Sequence, residues 1–546
     1  MFANDDNTPP AARMAAAMEL RMPAGSSTDP GAGRREPGAM TPARPGWTRP
    51  RRFDRNLVVI GAGSAGLVSA YLATTLRARV TLVEAARMGG DCLNTGCVPS
   101  KALIHSARLA AASRHAAALG LSGPPLAVDF AAVMARVQAM IAAVAPHDSI
   151  ERYTTLGVDV RRGHARITSP WCVEVDGTPI TTRAIIIAAG AAPIVPDLPG
   201  LADTAYLTSE TLWQLRSLPP RLLVLGGGPI GCELAQAFAQ LGSRVSLVEQ
   251  APRLLMREDD EVSALIAARL AAEGVRVLTR HTPVAIETAD GGRAMRIAQD
   301  GTEVVEPFDA LLVAVGRRPR TAGYGLEELA IAVTPAQAVE TDAWLRTLHP
   351  NILACGDVAG PYQFTHAAAH QAAAAVLTAL FAPLHRWRPD YSAMPAVTFT
   401  DPEVARVGLN ERAARAGGIG HEIVRYDLAG LDRAIVDGAA AGFVKVLTPP
   451  GKDRILGATI VGAHAGELLA EFALAMRHGI GLKGLLNTVH AYPTYAEANR
   501  AAAGVWRAAH ASPLGLALLA RWHRWRRGGP APAHAPQSPS PGALPP

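Results

Sequence analysis

The chain is poor in cysteine, in aromatic residues and in charge. Five cysteines in 546 residues do not make the disulfide framework of a small secreted fold. Cys172, Cys232 and Cys355 stand singly in apolar or glycine-rich runs and read as structural, and no cysteine follows Cys355. No second Cys/His pair lies at metal spacing, so a zinc site with its usual complement of about four ligands is not expected. No apolar run approaches the roughly 18 residues of a membrane span. The N-terminus carries no apolar signal core, and the expected address is the cytoplasm. Charged residues are only 18% of the chain, and the net charge of +6 reflects arginines gathered in the two tails. A nucleic-acid-binding face is therefore not expected.

What remains is globular and large. A hydrophobic content of 49% over this length implies several domains rather than one core. Residues 1–52, rich in Pro, Gly, Ala and Arg without a sustained period, read as a disordered extension. Order is expected to begin near Asn56. Leu57-Val58-Val59-Ile60 is a short buried strand, Gly61-Ala62-Gly63-Ser64-Ala65-Gly66 follows at once, and a helix runs to about Leu76. Val80–Glu84 is the next strand and ends in an acid. Glycines at Gly61, Gly63 and Gly66 let the backbone approach a pyrophosphate at a helix N-terminus, and Glu84 is placed to accept from a ribose.

The same unit recurs at Arg221–Glu249. Gly226, Gly228 and Gly231 occupy the turn, a helix covers Cys232–Leu241, and Glu249 ends the second strand. Two such units imply two nucleotide sites, for which FAD and a nicotinamide are one natural pairing. Glu249 would bond a free 2′-hydroxyl and repel a 2′-phosphate, favouring NADH over NADPH, although Arg244 and Arg253 lie close by. Buried strands ending in Gly190 and Gly316 read as crossovers between the two nucleotide domains. The segment 130–155 reads as plain helical packing. A third strand–glycine–acid unit ends at Asp357.

Between the two fingerprints lies Gly89-Gly90-Asp91-Cys92-Leu93-Asn94-Thr95-Gly96-Cys97-Val98-Pro99-Ser100-Lys101. Two cysteines five apart precede a helical run from Ala102, with Pro99 suited to a first turn. The helix N-terminus and Lys101 both favour a thiolate at Cys97. Such a pair suits dithiol–disulfide exchange; two buried small residues or half a zinc site are the competing readings.

GAGSAG with GGDCLNTGCVPSK, GGGPIGCELA, VAVGRRP, ACGDVAG, FTDPEVARVG and HAYPTYAEA run in that order from about Asn56 to His510. Together they resemble the class I pyridine nucleotide–disulfide oxidoreductases, a family that includes dihydrolipoyl dehydrogenase, glutathione reductase and mercuric reductase. The resemblance implies an α/β architecture of two Rossmann-like domains, for FAD (53–200 and 320–390) and NAD(P)H (201–319). An α+β dimerisation domain (391–512) would follow, then a basic amphipathic helix and a disordered tail (513–546). It implies that Cys97 contacts the flavin and Cys92 meets the acceptor. Lys101 and Glu233 would pair beside the flavin, and Asp357 would bind its ribitol. It also implies a homodimer in which the third domain completes the partner's active site.

One departure bears on the small-molecule acceptor. Tyr492 stands where dihydrolipoyl dehydrogenase and glutathione reductase place an acid–base histidine, with Glu497 retained. A phenol with a pKa near 10 is a poor proton acceptor at neutral pH. Mercuric reductases tolerate tyrosine here, but their C-terminal cysteine pair is missing. The leading expectation is an NADH- and FAD-dependent disulfide-type oxidoreductase. The alternative is an NADH:quinone or oxygen reductase that bypasses the thiols. In 514–527, Leu514, Leu518, Trp522 and Trp525 share one helical face among arginines, which suits either an anionic membrane surface or docking on the protein itself.

Overall fold

The computed structural model describes residues 46–289 and 292–528. The apolar run after Asn56 forms the strand Arg55–Ile60, and the helix Ser64–Thr75 leaves its glycine turn directly. The strand Val80–Glu84 returns parallel beside it, with Leu57 opposite Val80 and Ile60 opposite Val83. Asp159–Arg162 extends the sheet beyond Val80–Glu84, and Thr178–Ile187 flanks Arg55–Ile60 on its other side. Ile352–Ala354 then pairs with the end of Thr178–Ile187, so the strand before Asp357 finishes beside the first glycine turn. Leu57, Val59, Leu82 and Ile186 are fully buried, each contributing about 1.5–3 kcal/mol. The alanine-rich helix Thr365–Phe381 packs against Ser64–Thr75 through Ala368, Ala372 and Ala375. Small side chains permit that close approach.

The second fingerprint builds a parallel sheet in the order Arg276–Thr279, Arg244–Glu249, Arg221–Leu225, Ala310–Val313, Tyr206–Leu207. An antiparallel three-stranded sheet, Thr282–Ala289, Gly292–Gln299 and Thr302–Phe308, lies between its halves in sequence. The segments past Gly190 and Gly316 pair with each other as Ala191–Pro193 and Arg317–Pro319. The third domain is a five-stranded antiparallel sheet, Pro395–Thr398, Glu403–Gly408, Gly457–Gly462, Phe443–Thr448, Glu422–Asp427. Helices Ala465–Arg477 and Glu497–Ala509 cover it.

Three sequence readings need correction. Residues 46–52 are not a featureless tail, because Trp47 packs against the first domain and meets the His349 ring edge-on at 5.8 Å; residues 1–45 lie outside the described residues. The segment 130–155 is long and apolar enough, by length and composition alone, to cross a bilayer. Arg136 and Gln138 interrupt the run, and His147, Asp148, Glu151 and Arg152 break its second half, which hid this from a search for uninterrupted apolar stretches. It forms the helices Phe130–Val144 and Ile150–Thr155 around a tight turn at Ala145–Asp148, with Phe130, Met134 and Val137 in the core. Finally, the helix after the cysteines begins at Cys97 rather than Ala102 and runs to Arg114.

Candidate active site

Each fingerprint turn needs glycine for two steric reasons. Gly61 and Gly226 sit at φ of 101° and 111°, a region closed to most side chains. A Cβ on Gly66 would fall 1.7 Å from the Gly61 carbonyl oxygen, and one on Gly231 would fall 1.9 Å from that of Gly226. The middle glycines differ. A Cβ on Gly228 meets nothing within 4 Å, and one on Gly63 meets only the Gly90 Cα at 3.8 Å. That open space is where a ligand's phosphates would come close to backbone. The two acids brace the turns identically. Glu84 accepts from the N–H of Ala62 (2.6 Å) and Ala86 (2.7 Å). Glu249 accepts from Gly227 and Ala251, both at 2.7 Å.

This asymmetry makes a prediction. Gly228→Ala is expected to leave the melting temperature unchanged and to raise the KM for the nicotinamide nucleotide about tenfold, the effect of roughly 1.4 kcal/mol. Gly231→Ala is expected to lower the melting temperature itself. Thermal melts alongside NADH titrations separate the two.

The two turns open on one continuous cavity of about 2440 Å³, and both cysteines face it. Cys92 lies on a short helix, Gly90–Asn94, and Cys97 is the first residue of the next. The thiols are free and shift each other's titration in opposite directions. The Cys92 thiol is the largest influence on Cys97, which is held down at about 6; Thr365 and Lys101 reinforce it against burial and Glu233. The Thr365 hydroxyl lies 3.4 Å from Cys97 Sγ. Cys92 is pushed far above the usual thiol range, first by the Cys97 side chain, then by burial and by the Cys97 and Asp148 charges.

Helix packing sets the cation beside this pair. Leu103 and Ala107 of Cys97–Arg114 share one core with Leu234 and Phe238 of Pro229–Leu241. Lys101 Nζ thereby reaches Glu233 Oε2 at 2.8 Å and lies 4.3 Å from the centre of the Phe399 ring. The other oxygen of Glu233 accepts from the Phe399 N–H at 2.8 Å, tying the third domain to the site. At the far end, Asp357 is raised to about 6 by burial, against the pull of Arg317. The Arg317 Nε stands 4.0 Å from Asp357, and its Nη2 donates to Asp91.

The predicted residues Gly61, Gly63, Glu84, Cys92, Cys97, Lys101, Gly190, Gly226, Gly228, Glu233, Glu249, Gly316 and Asp357 thus border one cavity. Gly66 and Gly231 sit behind the turns. Tyr492 and Glu497 do not border it. Tyr492 is 70% exposed and donates to Asp432 Oδ2 at 2.9 Å, which raises its phenol further. Glu497 accepts from the Thr494 N–H at 3.3 Å, and His490 pairs with Glu471 at 2.8 Å. The sequence reading missed Thr365, Asp432 and the role of Arg317; only Arg317 carried a signal, as the first charge after a buried strand and Gly316.

The open ground above Gly63, Gly190 and Gly228 and the buried carboxyl of Asp357 fit a dinucleotide such as FAD, with room in the cavity for a second nucleotide. Comparison with known proteins agrees. Residues 55–372 match the pyridine nucleotide-disulphide oxidoreductase family, and residues 394–503 match its dimerisation domain. A dihydrolipoyl dehydrogenase from Chlamydia muridarum is 33% identical over 81% of this chain and 94% of its own. A mercuric reductase from Streptomyces lividans is 36% identical over 82% and 95% respectively. Among solved structures, the HOCl-induced flavoprotein disulfide reductase RclA from Escherichia coli superposes with a TM-score of 0.72 at 29% identity, over 82% of this chain and 99% of that one. The family binds FAD, takes electrons from NAD(P)H, and carries a dimerisation domain that supports a homodimer. The chain belongs to the pyridine nucleotide-disulphide oxidoreductase family and is an FAD-dependent enzyme of it.

Proposed function

We propose that this enzyme takes electrons from NADH and delivers them through Cys92 and Cys97 to a thiophilic metal ion, in the cytoplasm, as a homodimer. Bound FAD supplies the two-electron relay between nicotinamide and thiols. The chain's own residues do the rest. The glycine turns receive the two pyrophosphates at helix N-termini. Glu249 accepts from the free ribose of NADH. Arg253, a candidate cation for a 2′-phosphate, is committed to Asp260, Ser263 and the Glu258 carbonyl. Lys101, steadied by Glu233, holds positive charge beside the Cys97 thiolate, and Cys92 keeps its proton. With Cu(II) as acceptor, the Cys97 thiolate and the Cys92 thiol together lose one proton and two electrons, a sulfur–sulfur bond forms, and two Cu(II) become two Cu(I).

The observation that carries the acceptor class is Tyr492. A disulfide acceptor expels a thiolate that needs a proton, and a general acid contributes about 10²–10⁴ to such a step. A phenol raised by Asp432 is a weak acid. Since Tyr492 stands outside its own chain's cavity, we assign it, with Glu497, to the acceptor site of the partner subunit. A metal ion needs no such proton. Relatives named mercuric reductase and a structure of RclA in complex with Cu(II), 29% identical, support the class. A quinone reductase that ignores the thiols is not favoured, because Cys92, Thr365 and Lys101 all lower the Cys97 thiol.

The test is steady-state NADH oxidation with Cu(II), Hg(II) plus added thiol, lipoamide and low-molecular-weight disulfides. Metal arms are expected to turn over at least about 10²-fold faster than the disulfides, and Tyr492→His to raise the disulfide arms. Equal rates on disulfides in the wild type would overturn the reading.

A further inference from the structure

The helix Pro513–Arg527 lies past the end of the dimerisation-domain match at residue 503. It is well made. Pro513 opens it, and the Ser512 hydroxyl accepts from the Gly515 N–H at 3.2 Å. Yet none of its residues is buried. Leu514, Leu518, Trp522 and Trp525 fall on one stripe and are 79%, 68%, 50% and 71% exposed. The two indoles lie together, ring centres 5.1 Å apart. By helical geometry, Arg521 and Arg526 border that stripe, and Arg524 and Arg527 lie beyond it. No Asp or Glu occurs from 513 to 527.

An apolar stripe of this size marks a contact surface, and the charge says with what. Four arginines without an acid repel a second copy of the same helix. A nucleic acid would engage the arginines but leave two leucines and two tryptophans in water. We propose that this helix lies in the interface of an anionic phospholipid bilayer and holds the enzyme on a membrane surface. Leu514 and Leu518 enter the acyl boundary, Trp522 and Trp525 sit at headgroup level, and the arginines meet lipid phosphates. The arginines add attraction to anionic headgroups, and the stripe adds apolar burial. The inference does not depend on the acceptor.

The experiment is co-sedimentation of full-length holoenzyme with vesicles of phosphatidylcholine alone or mixed with phosphatidylglycerol. Binding is expected only to the mixed vesicles, weakening as salt rises. Trp522→Ala/Trp525→Ala and Leu518→Asp are each expected to reduce it about tenfold or more, with NADH oxidation in solution unchanged. A blue shift of tryptophan emission that the double variant lacks supports the same placement. Absence of binding to anionic vesicles overturns the proposal. So does binding that survives both apolar substitutions, or binding to duplex DNA with none to vesicles.

Discussion

Cys97→Ser is expected to lower acceptor turnover at least about 10³-fold while leaving the melting temperature unchanged. Serine matches the side chain in size, so the core of Cys97–Arg114 is not disturbed. What it lacks is a thiolate near neutral pH. Cys97 reaches about 6 because Cys92 lowers it, Thr365 lies 3.4 Å away, and Lys101 adds positive charge. A thiol with a depressed pKa is charged above that value and protonated below it. Alkylation of the reduced protein by iodoacetamide is therefore expected to fall as pH drops through about 6. Cys92→Ala removes the largest of these influences, and the thiolate of Cys97 then forms only at higher pH. An alkylation profile that does not move in Cys92→Ala contradicts the influence of Cys92.

Lys445→Ala is expected to cost about 3–5 kcal/mol of stability. Lys445 is 1% exposed, which is unusual for lysine. Its Nζ lies 2.5 Å from both Asp259 and Glu261 and 3.5 Å from Glu411. The first two acids belong to the nucleotide domain of the second fingerprint and Glu411 to the third domain, so the cluster joins them. Removing the cation leaves the buried carboxylate of Asp259 without its counter-charge, beside the partly exposed Glu261 and Glu411, which keep Arg425 and Arg415. Burial alone would push Asp259 up; the hydrogen bond from Lys445 and the backbone N–H groups of Arg412 and Glu411 bring it below its ordinary value. A carboxylate lowered on folding stabilises above its unfolded pKa and ceases to do so as pH falls through the folded value. The penalty of Lys445→Ala is thus expected at neutral pH and to shrink in acid. Denaturant unfolding at both pH values measures it.

Much of this was legible because local rules are strict where backbone meets ligand. A buried strand, a turn that only glycine fits and a helix placed Gly61, Gly226, Glu84 and Glu249 without tertiary knowledge. The Cys92–Cys97 spacing likewise announced itself. Other features depend on distant partners. Thr365 is 268 residues from Cys97, and Asp91 is 226 from Arg317, so no window holds either pair. The Gly90–Asn94 helix is too short to show a period. Asp432 meets Tyr492 only through the folding of the third domain. The broken apolar segment 130–155 was underestimated because Arg136 and Gln138 interrupt it while its mean hydropathy stays high.

In the proposed mechanism electrons leave through the Cys92–Cys97 pair. This is tested most directly by counting thiols. Oxidised holoenzyme, with and without anaerobic NADH, is quenched under denaturing conditions, alkylated and mapped by mass spectrometry. Two alkyl groups are expected to appear with NADH, on Cys92 and Cys97, and on neither without it. An alkylation pattern that is the same before and after NADH would contradict the assignment.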